Sequence, residues 1–403
     1  MFAGGPEYPD ETGAHFWRSG DGPGLQTKGA KGNDLQAKVR FVALDSWRGI
    51  AALVVAFGHL KTTGTLSGLA LATTSYRFVD FFFVLSGFVI AHSSGEKLST
   101  GKGEAMRFIV RRIARLWPLH LFVLGLFVVH QLVLLAANGM DLVEEPLAFT
   151  DSFDLGWLPA NLAMVQAWGT TPYNTWNEPA WSISTEMFAY LCFVLACIAA
   201  QRRGWVVLAA VGLACTAYAV AFPETMTATT SIALVRGMAG FGLGVLMHRL
   251  WAKWHAIRIP FATVLEFAAI GATFFAIVQV PLEMGAAIIP LFALVVLLFA
   301  YEQGLASRLL RSGAFVFLGE RSYSIYLIHA FIIMGILSAA AVLGFLGGSE
   351  GTTAIVLPTP IADALMVGYL GITIAVASLT FRFVEMPGQE VGRMVVRRTE
   401  VAK

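Results

Sequence analysis

Charge is what this chain has least of. Only 13% of its 403 residues are charged and 57% are hydrophobic, whereas a soluble globular protein carries roughly 25% charged residues. A deficit of that size excludes a water-soluble fold for most of the chain and makes lipid its main solvent. Cysteine is nearly as scarce. The three cysteines, Cys192, Cys197 and Cys215, all fall in apolar runs, and none has the Cys or His spacing of a metal site. They read as small packing residues, and no metal or permanently bound cofactor is expected. The net charge is only +2, so a nucleic acid partner is not expected. Residues 1–40 contain no apolar run and are rich in Gly and polar groups. They read as a disordered cytoplasmic tail, with no secretory signal ahead of the first apolar helix. There is no repeat of 20–50 residues, and none of the inverted symmetry common in transporters.

What is present is a series of long apolar runs. Ten segments are near the roughly 20 residues needed to cross a bilayer. They are 42–60, 77–93, 116–137, 179–200, 204–222, 231–250, 259–279, 285–301, 322–345 and 361–383. Helices are expected throughout, because backbone groups in lipid must be satisfied within the segment. Segment 155–168 is shorter and holds Pro159, which suits an interfacial or re-entrant element. The expected fold is therefore an all-α transmembrane bundle of about ten spans over residues 41–390, followed by a basic cytoplasmic tail at 391–403. Lys and Arg occupy alternate loops, at 97–115, 201–203, 249–258 and 302–321 and in both tails, while 138–178, 223–230, 280–284 and 346–360 have none. The positive-inside rule places both termini in the cytoplasm.

Ionisable groups inside spans are costly and are functional candidates by default. Arg48 and His59 are eleven residues apart, which puts them on one helix face about 16 Å apart along the axis. Asp45 can pair with Arg48 at i, i+3. As a bland alternative, Arg48 is an interfacial anchor and His59 a packed polar residue. Arg112 and Arg115 share a face of a basic helix that could clamp nucleotide phosphates, or simply hold anionic lipid. Ser182, Glu186 and Tyr190 form a polar stripe at i, i+4, i+8. Glu186 has no basic neighbour in sequence, so it either takes a partner from another helix or stays protonated. Ser322, Tyr326 and His329 share a face, which hydrogen-bonded helix packing explains equally well. Phe81–Phe88 carries a Ser86-Gly87 notch that gives either close helix approach or room for an acyl chain.

Five of these motifs, in this order, resemble the membrane-bound acyltransferase-3 family, bacterial enzymes that O-acylate surface and secreted carbohydrates. They are Leu44-Asp45-Ser46-Trp47-Arg48-Gly49-Ile50 through His59, Phe82-Phe83-Val84-Leu85-Ser86-Gly87, Arg112-x-x-Arg115, Trp181-Ser182-Ile183-Ser184-Thr185-Glu186, and Ser322-Tyr323-Ser324-Ile325-Tyr326-Leu327-Ile328-His329. The resemblance covers roughly residues 41–390. One departure is Thr185-Glu186, where the family often has two acidic residues. The resemblance implies a multi-pass inner-membrane enzyme that moves an acyl group, most often acetyl, from acyl-coenzyme A to a hydroxyl. The acceptor would be a carbohydrate, a glycolipid or a macrolide-like molecule. His59 corresponds to the family's catalytic histidine, Arg48 to the arginine before it, Arg112 and Arg115 to the donor-binding pair, and Glu186 to a carboxylate of the site. Asp45, Ser182, Ser322, Tyr326 and His329 are expected to bind acceptor or support these groups.

On this reading neutral His59 takes the acceptor proton, or else carries the acyl group itself as an acyl-histidine relay. Composition alone fits a proton-coupled transporter or flippase equally well; the motif order favours the enzyme. The topology is testable directly. Reporter fusions after residues 150, 227 and 350 should read as external, and those at 203, 255 and 312 as cytoplasmic. Reversal at any two positions contradicts it.

Overall fold

A computed structural model describes residues 40–98, 101–140, 147–348 and 353–401. The expected tail over 1–40 lies, apart from Arg40, outside the described residues. Each of the ten expected segments is helical: α1 (Val42–His59), α2 (Phe78–Leu98), α3 (Lys102–Gly139), α4 (Ala180–Ala200), α5 (Gly204–Ala221), α6 (Ala233–Trp254), α7 (Ala262–Gln279), α8 (Ile288–Phe299), then, after the short α9 (Gly313–Glu320), α10 (Ser322–Val342) and α11 (Thr359–Thr380). The C-terminal segment is helical too, as α12 (Met386–Val401). Among the described residues, seven helical stretches are long and apolar enough to cross a membrane. One of them, Ala180–Ala221, is α4 and α5 joined by the 3-10 turn Gln201–Arg203. The stretches α1 and α6 stand outside that set because they carry Asp45 and Arg48, and Arg236, Arg249 and Lys253.

The two helices of greatest consequence for the site are α1 and α3. The first turn of α1 has no cap from its own residues; instead the Glu302 carboxylate accepts the Ala43 N–H at 2.7 Å. Burial pushes the Glu302 carboxyl up, and the N–H of Ala43 and nearby Arg311 draw it back. Helix α3 has 38 residues, a length of about 57 Å at 1.5 Å per residue. That exceeds a bilayer core of roughly 30 Å, so one of its ends must stand beyond the apolar slab. Its basic first half, with Arg107 and Arg111 paired to Glu104, is the end suited to water. α12 lies along this half: a Cβ on Gly388 would meet the Pro118 ring at 2.4 Å, and one on Gly392 would meet the Ala114 Cβ at 2.2 Å.

The segment expected to be interfacial or re-entrant is a chain of short turns: 3-10 turns at Asp151–Phe153 and Leu155–Trp157, a single helical turn at Leu158–Leu162, and a π turn at Gln166–Thr170. It folds onto α4, where the Trp168 indole donates to the Ser184 carbonyl at 2.9 Å and Gln166 to the Ala180 carbonyl at 3.1 Å. The only sheet among the described residues is a two-stranded antiparallel pair, Leu346–Gly347 with Ala354–Ile355, with Leu346 opposite Ile355. It ties the end of α10 to the loop after α1, since Thr63 N–H donates to the Ile355 carbonyl at 3.1 Å.

Small residues let the central helices touch, which is how helices associate where lipid is as apolar as leucine. Gly87 of α2 lies against Phe241, while Gly237, Gly240 and Gly244 of α6 lie against Thr185, Phe83 and Val84. The Ser86-Gly87 notch therefore serves close helix approach. A Cβ at position 87 would sit 2.0 Å from the Phe241 carbonyl oxygen, a backbone atom with little freedom to yield. Gly87→Ala should lower stability by about 1–3 kcal/mol, the usual range for overpacking. Gly271→Ala, where nothing lies within 4 Å, should change it by no more than about 1 kcal/mol, the helix-propensity difference. Thermal unfolding in detergent compares the two; equal melting temperatures contradict the packing account.

Candidate active site

Two cavities open into the bundle, and they share no lining residue. The first lies toward the basic half of α3 and is lined by Arg48, Arg112, Arg115, Glu186, Ser322 and Tyr326, among others. Arg48 reaches it because α1 and α9 approach through glycine. A Cβ on Gly49 would be 2.5 Å from Gly319 N, and one on Gly319 would be 2.5 Å from the Asp45 carbonyl oxygen. At that separation Arg48 donates through Nε to Ser322 Oγ at 2.8 Å, and its Nη2 makes an ion pair with Asp45 Oδ1 at 3.2 Å. The expected Asp45–Arg48 pair is thus formed, and Ser322 becomes part of it.

Arg112 forms no ion pair among the described residues, and its Nε is buried without a hydrogen-bond acceptor. Its guanidinium lies over the rings of Phe108 and Tyr190, 5.3 and 5.8 Å from their centroids. Cation–π contact holds it in place and leaves its donors for an anion. Arg115 points into the same cavity, where its nearest carboxylates include Glu385 and Glu186. Glu186 takes its partners from other positions of the bundle: Ser86 Oγ donates to it at 2.5 Å, and the Tyr190 hydroxyl donates to the same oxygen. Ser182 Oγ lies 2.8 Å from the Tyr326 hydroxyl, and both donate to the Pro179 carbonyl.

The second cavity is wider and opens at the opposite end of α1. His59 lines it, with Phe127, Gln131, Asp151, Trp176 and Glu178 among its neighbours. The His59 Nδ1 lies 2.7 Å from the Val55 carbonyl. A carbonyl only accepts, so the proton is assigned to Nδ1, and Nε2 keeps its lone pair in the neutral ring. This is the form a general base requires.

Arg48 and His59 share a helix, yet they serve different cavities. Between them stand Tyr326, which lines the first cavity, and His329, which is 0% exposed and lines neither. The ring centroid of His329 is 5.0 Å from that of His59 and 5.9 Å from that of Tyr326.

Several buried polar groups escaped the sequence reading. Glu385 accepts from Ser324 Oγ at 2.8 Å and from Gln389 at 3.1 Å, on a π turn at Phe381–Glu385 that ends α11. Its signal was a lone acid among basic residues at the end of the last span. Asp80 and Arg236 form a doubly hydrogen-bonded pair at 2.6 and 3.0 Å, both about 1% exposed, with Arg236 over the Trp181 ring. Their two spans lie 156 residues apart in sequence, so no local spacing could pair them. Tyr323, whose hydroxyl donates to the Leu116 carbonyl at 2.6 Å, also lines the first cavity. Among the described residues no cluster of His, Cys, Asp and Glu could hold a metal ion.

Comparison with known proteins bears on what this arrangement does. The acyltransferase domain of the acyltransferase-3 family matches residues 41–380. The chain is 30% identical to acyltransferase MdmB of Streptomyces mycarofaciens over 400 aligned positions, covering 90% of this chain and 95% of that one. It is 32% identical over 152 positions to protein 2 in the picA locus of Rhizobium radiobacter, covering 37% of this chain and 78% of that one. No solved structure matches it. With a family match running from the first residue of α1 to the last of α11, and with helices able to cross a membrane, the chain belongs to the acyltransferase-3 family of multi-pass membrane acyltransferases.

Proposed function

We propose that this acyltransferase takes its acyl group from acyl-coenzyme A, bound in the arginine-lined cavity, and passes it to a hydroxyl presented in the cavity of His59. The observation that carries this reading is a pair of cavities with no lining residue in common, one lined by three guanidinium groups and one by the His59 imidazole, linked by the ring contacts of Tyr326 and His329. Arg112 and Arg115 suit the diphosphate of the nucleotide, because guanidinium forks match phosphate oxygens. The pantetheine arm would run past Arg48 and Ser322 toward Tyr326. Loops of the same end carry Arg202, Arg203, Arg308 and Arg311, which by the positive-inside rule makes it the cytoplasmic end, where coenzyme A is found. The membrane would then be the bacterial inner membrane.

The second cavity mixes aromatic faces, Trp176, Phe127 and Phe153, with hydrogen-bonding groups such as Gln131, Asp151 and Asn174. That mixture suits a polyhydroxylated acceptor: a carbohydrate, a glycolipid or a macrolide-like molecule. His59 Nε2 takes the proton from the acceptor hydroxyl as its oxygen attacks the thioester carbon. The carbon–sulfur bond then breaks, and the thiolate of coenzyme A recovers the proton from His59. Acetyl is the simplest group for so narrow a passage. Glu186, with two hydroxyl donors, and Glu385 attract Arg115 and keep it directed into the cavity.

His59→Ala should cut turnover by about 10²–10⁴-fold, the range of a lost general base, with coenzyme A affinity unchanged. Thiol release from acetyl-coenzyme A, per folded molecule, reads the rate. The double change Arg112→Gln and Arg115→Gln should do the reverse, weakening coenzyme A binding without disturbing insertion. Lysine at both positions should rescue it only in part. Turnover of His59→Ala within about tenfold of the native protein, below the usual effect of a lost base, contradicts the assignment. A transporter would release no thiol.

A further inference from the structure

We propose that His329 is the donor that stabilises the oxyanion formed when the acceptor attacks the thioester. The proposal rests on the donor and acceptor sites assigned above and adds to them the group that stabilises the developing charge.

His329 is 0% exposed, and neither ring nitrogen reaches a partner with hydrogen-bond geometry among the described residues. Its nearest acceptors are the carbonyls of Ile325 and Tyr326 on its own helix. Buried polar side-chain atoms are nearly always hydrogen-bonded, and an exception calls for an explanation. His59 meets its i−4 carbonyl at 2.7 Å; the His329 ring lies close enough to the Ile325 and Tyr326 carbonyls to feel them, without hydrogen-bond geometry to either. Its neighbours leave it idle as well. The ring of His59 meets it edge to face, and Tyr326, one turn earlier on α10, is engaged with Ser182 and Pro179.

The place of this unused donor matters more than its burial. From the arginine-lined cavity, which Tyr326 lines, ring contacts lead through His329 to His59. In the neutral ring of His329 one nitrogen carries a hydrogen. When the acceptor oxygen, its proton going to His59 Nε2, bonds to the thioester carbon, the carbonyl π pair moves onto oxygen. An N–H beside that oxygen stabilises it through the tetrahedral stage, and the oxygen returns the pair as the carbon–sulfur bond breaks. The thiolate takes the proton back from His59, so the step needs no further reactant. His329 is closed to both cavities in this structure, so the carbonyl reaches it only after the Tyr326 ring turns out of its contact with Ser182.

Two variants of similar length separate donation from packing. His329→Gln keeps an N–H donor and His329→Met lacks one. Thiol release from acetyl-coenzyme A should fall about 10²–10³-fold in the Met variant, as when an oxyanion-hole donor is lost, while the Gln variant stays within about tenfold of native. Coenzyme A affinity should be unchanged in both. A folded Met variant at near-native rate overturns the proposal, as does a folded Gln variant no faster than Met. The native protein supplies a second test if either fails to fold. The carbonyl stretch of a bound, non-cleavable ¹³C-labelled acetyl-coenzyme A analogue should move to lower frequency than in water-free solvent. An unmoved band in the native protein overturns the assignment. The base assignment stands or falls separately, on His59→Ala and on coenzyme A binding.

Discussion

Burying guanidinium groups inside a helix bundle is the constraint around which this protein is organised. A charged side chain at membrane depth is costly unless it is paired, hydrogen-bonded or solvated in a cavity. Here Arg48, Arg112 and Arg115 converge on one cavity, and each is handled differently. Arg48 is held by Asp45 and Ser322, Arg112 by the faces of two aromatic rings, and Arg115 by the field of Glu385 and Glu186. A fourth, Arg236, is neutralised outright by Asp80 and lines neither cavity. The contrast is sharpest between Arg236, doubly hydrogen-bonded to a carboxylate, and Arg112, whose buried Nε has no acceptor among the described residues.

The backbone contacts that make this possible are glycine contacts. Gly49 against Gly319 brings Arg48 to Ser322, and Gly87 against Phe241 places the neighbouring Ser86 where it donates to Glu186. Each pair sets a helix spacing that no side chain could tolerate, and each stands one residue from a polar group of the site. Packing and chemistry are therefore specified by adjacent residues in the same short motifs. With α10 held close to α1, the Tyr326 and His329 rings form a line of contacts from the first cavity to His59.

The apolar runs were enough to locate the helices, because length and hydrophobicity are local properties. The same holds for Asp45 with Arg48, Arg112 with Arg115, and the Ser182–Glu186–Tyr190 stripe, all of which lie within a few turns of one helix. What a single sequence does not carry is which helix faces which. Asp80–Arg236 and Ser324–Glu385 join residues 156 and 61 positions apart, and neither pair has a spacing rule. Arg48 and His59 share a face of α1, but eleven residues of helix carry them into the linings of different cavities. The segment 155–168 was legible only as not being a span, since its turns are held by long-range bonds to α4.

The central claim is that donor and acceptor occupy separate cavities and that the acyl group crosses between them. A structure determined with a non-cleavable acetyl-coenzyme A analogue tests it most directly. The account predicts the nucleotide phosphates within hydrogen-bond reach of Arg112 and Arg115, the pantetheine arm passing Arg48, and the acetyl carbon beyond a displaced Tyr326 ring, beside His59 and His329. Phosphates seated in the cavity of His59, or an acetyl group pointing away from Tyr326, would contradict it.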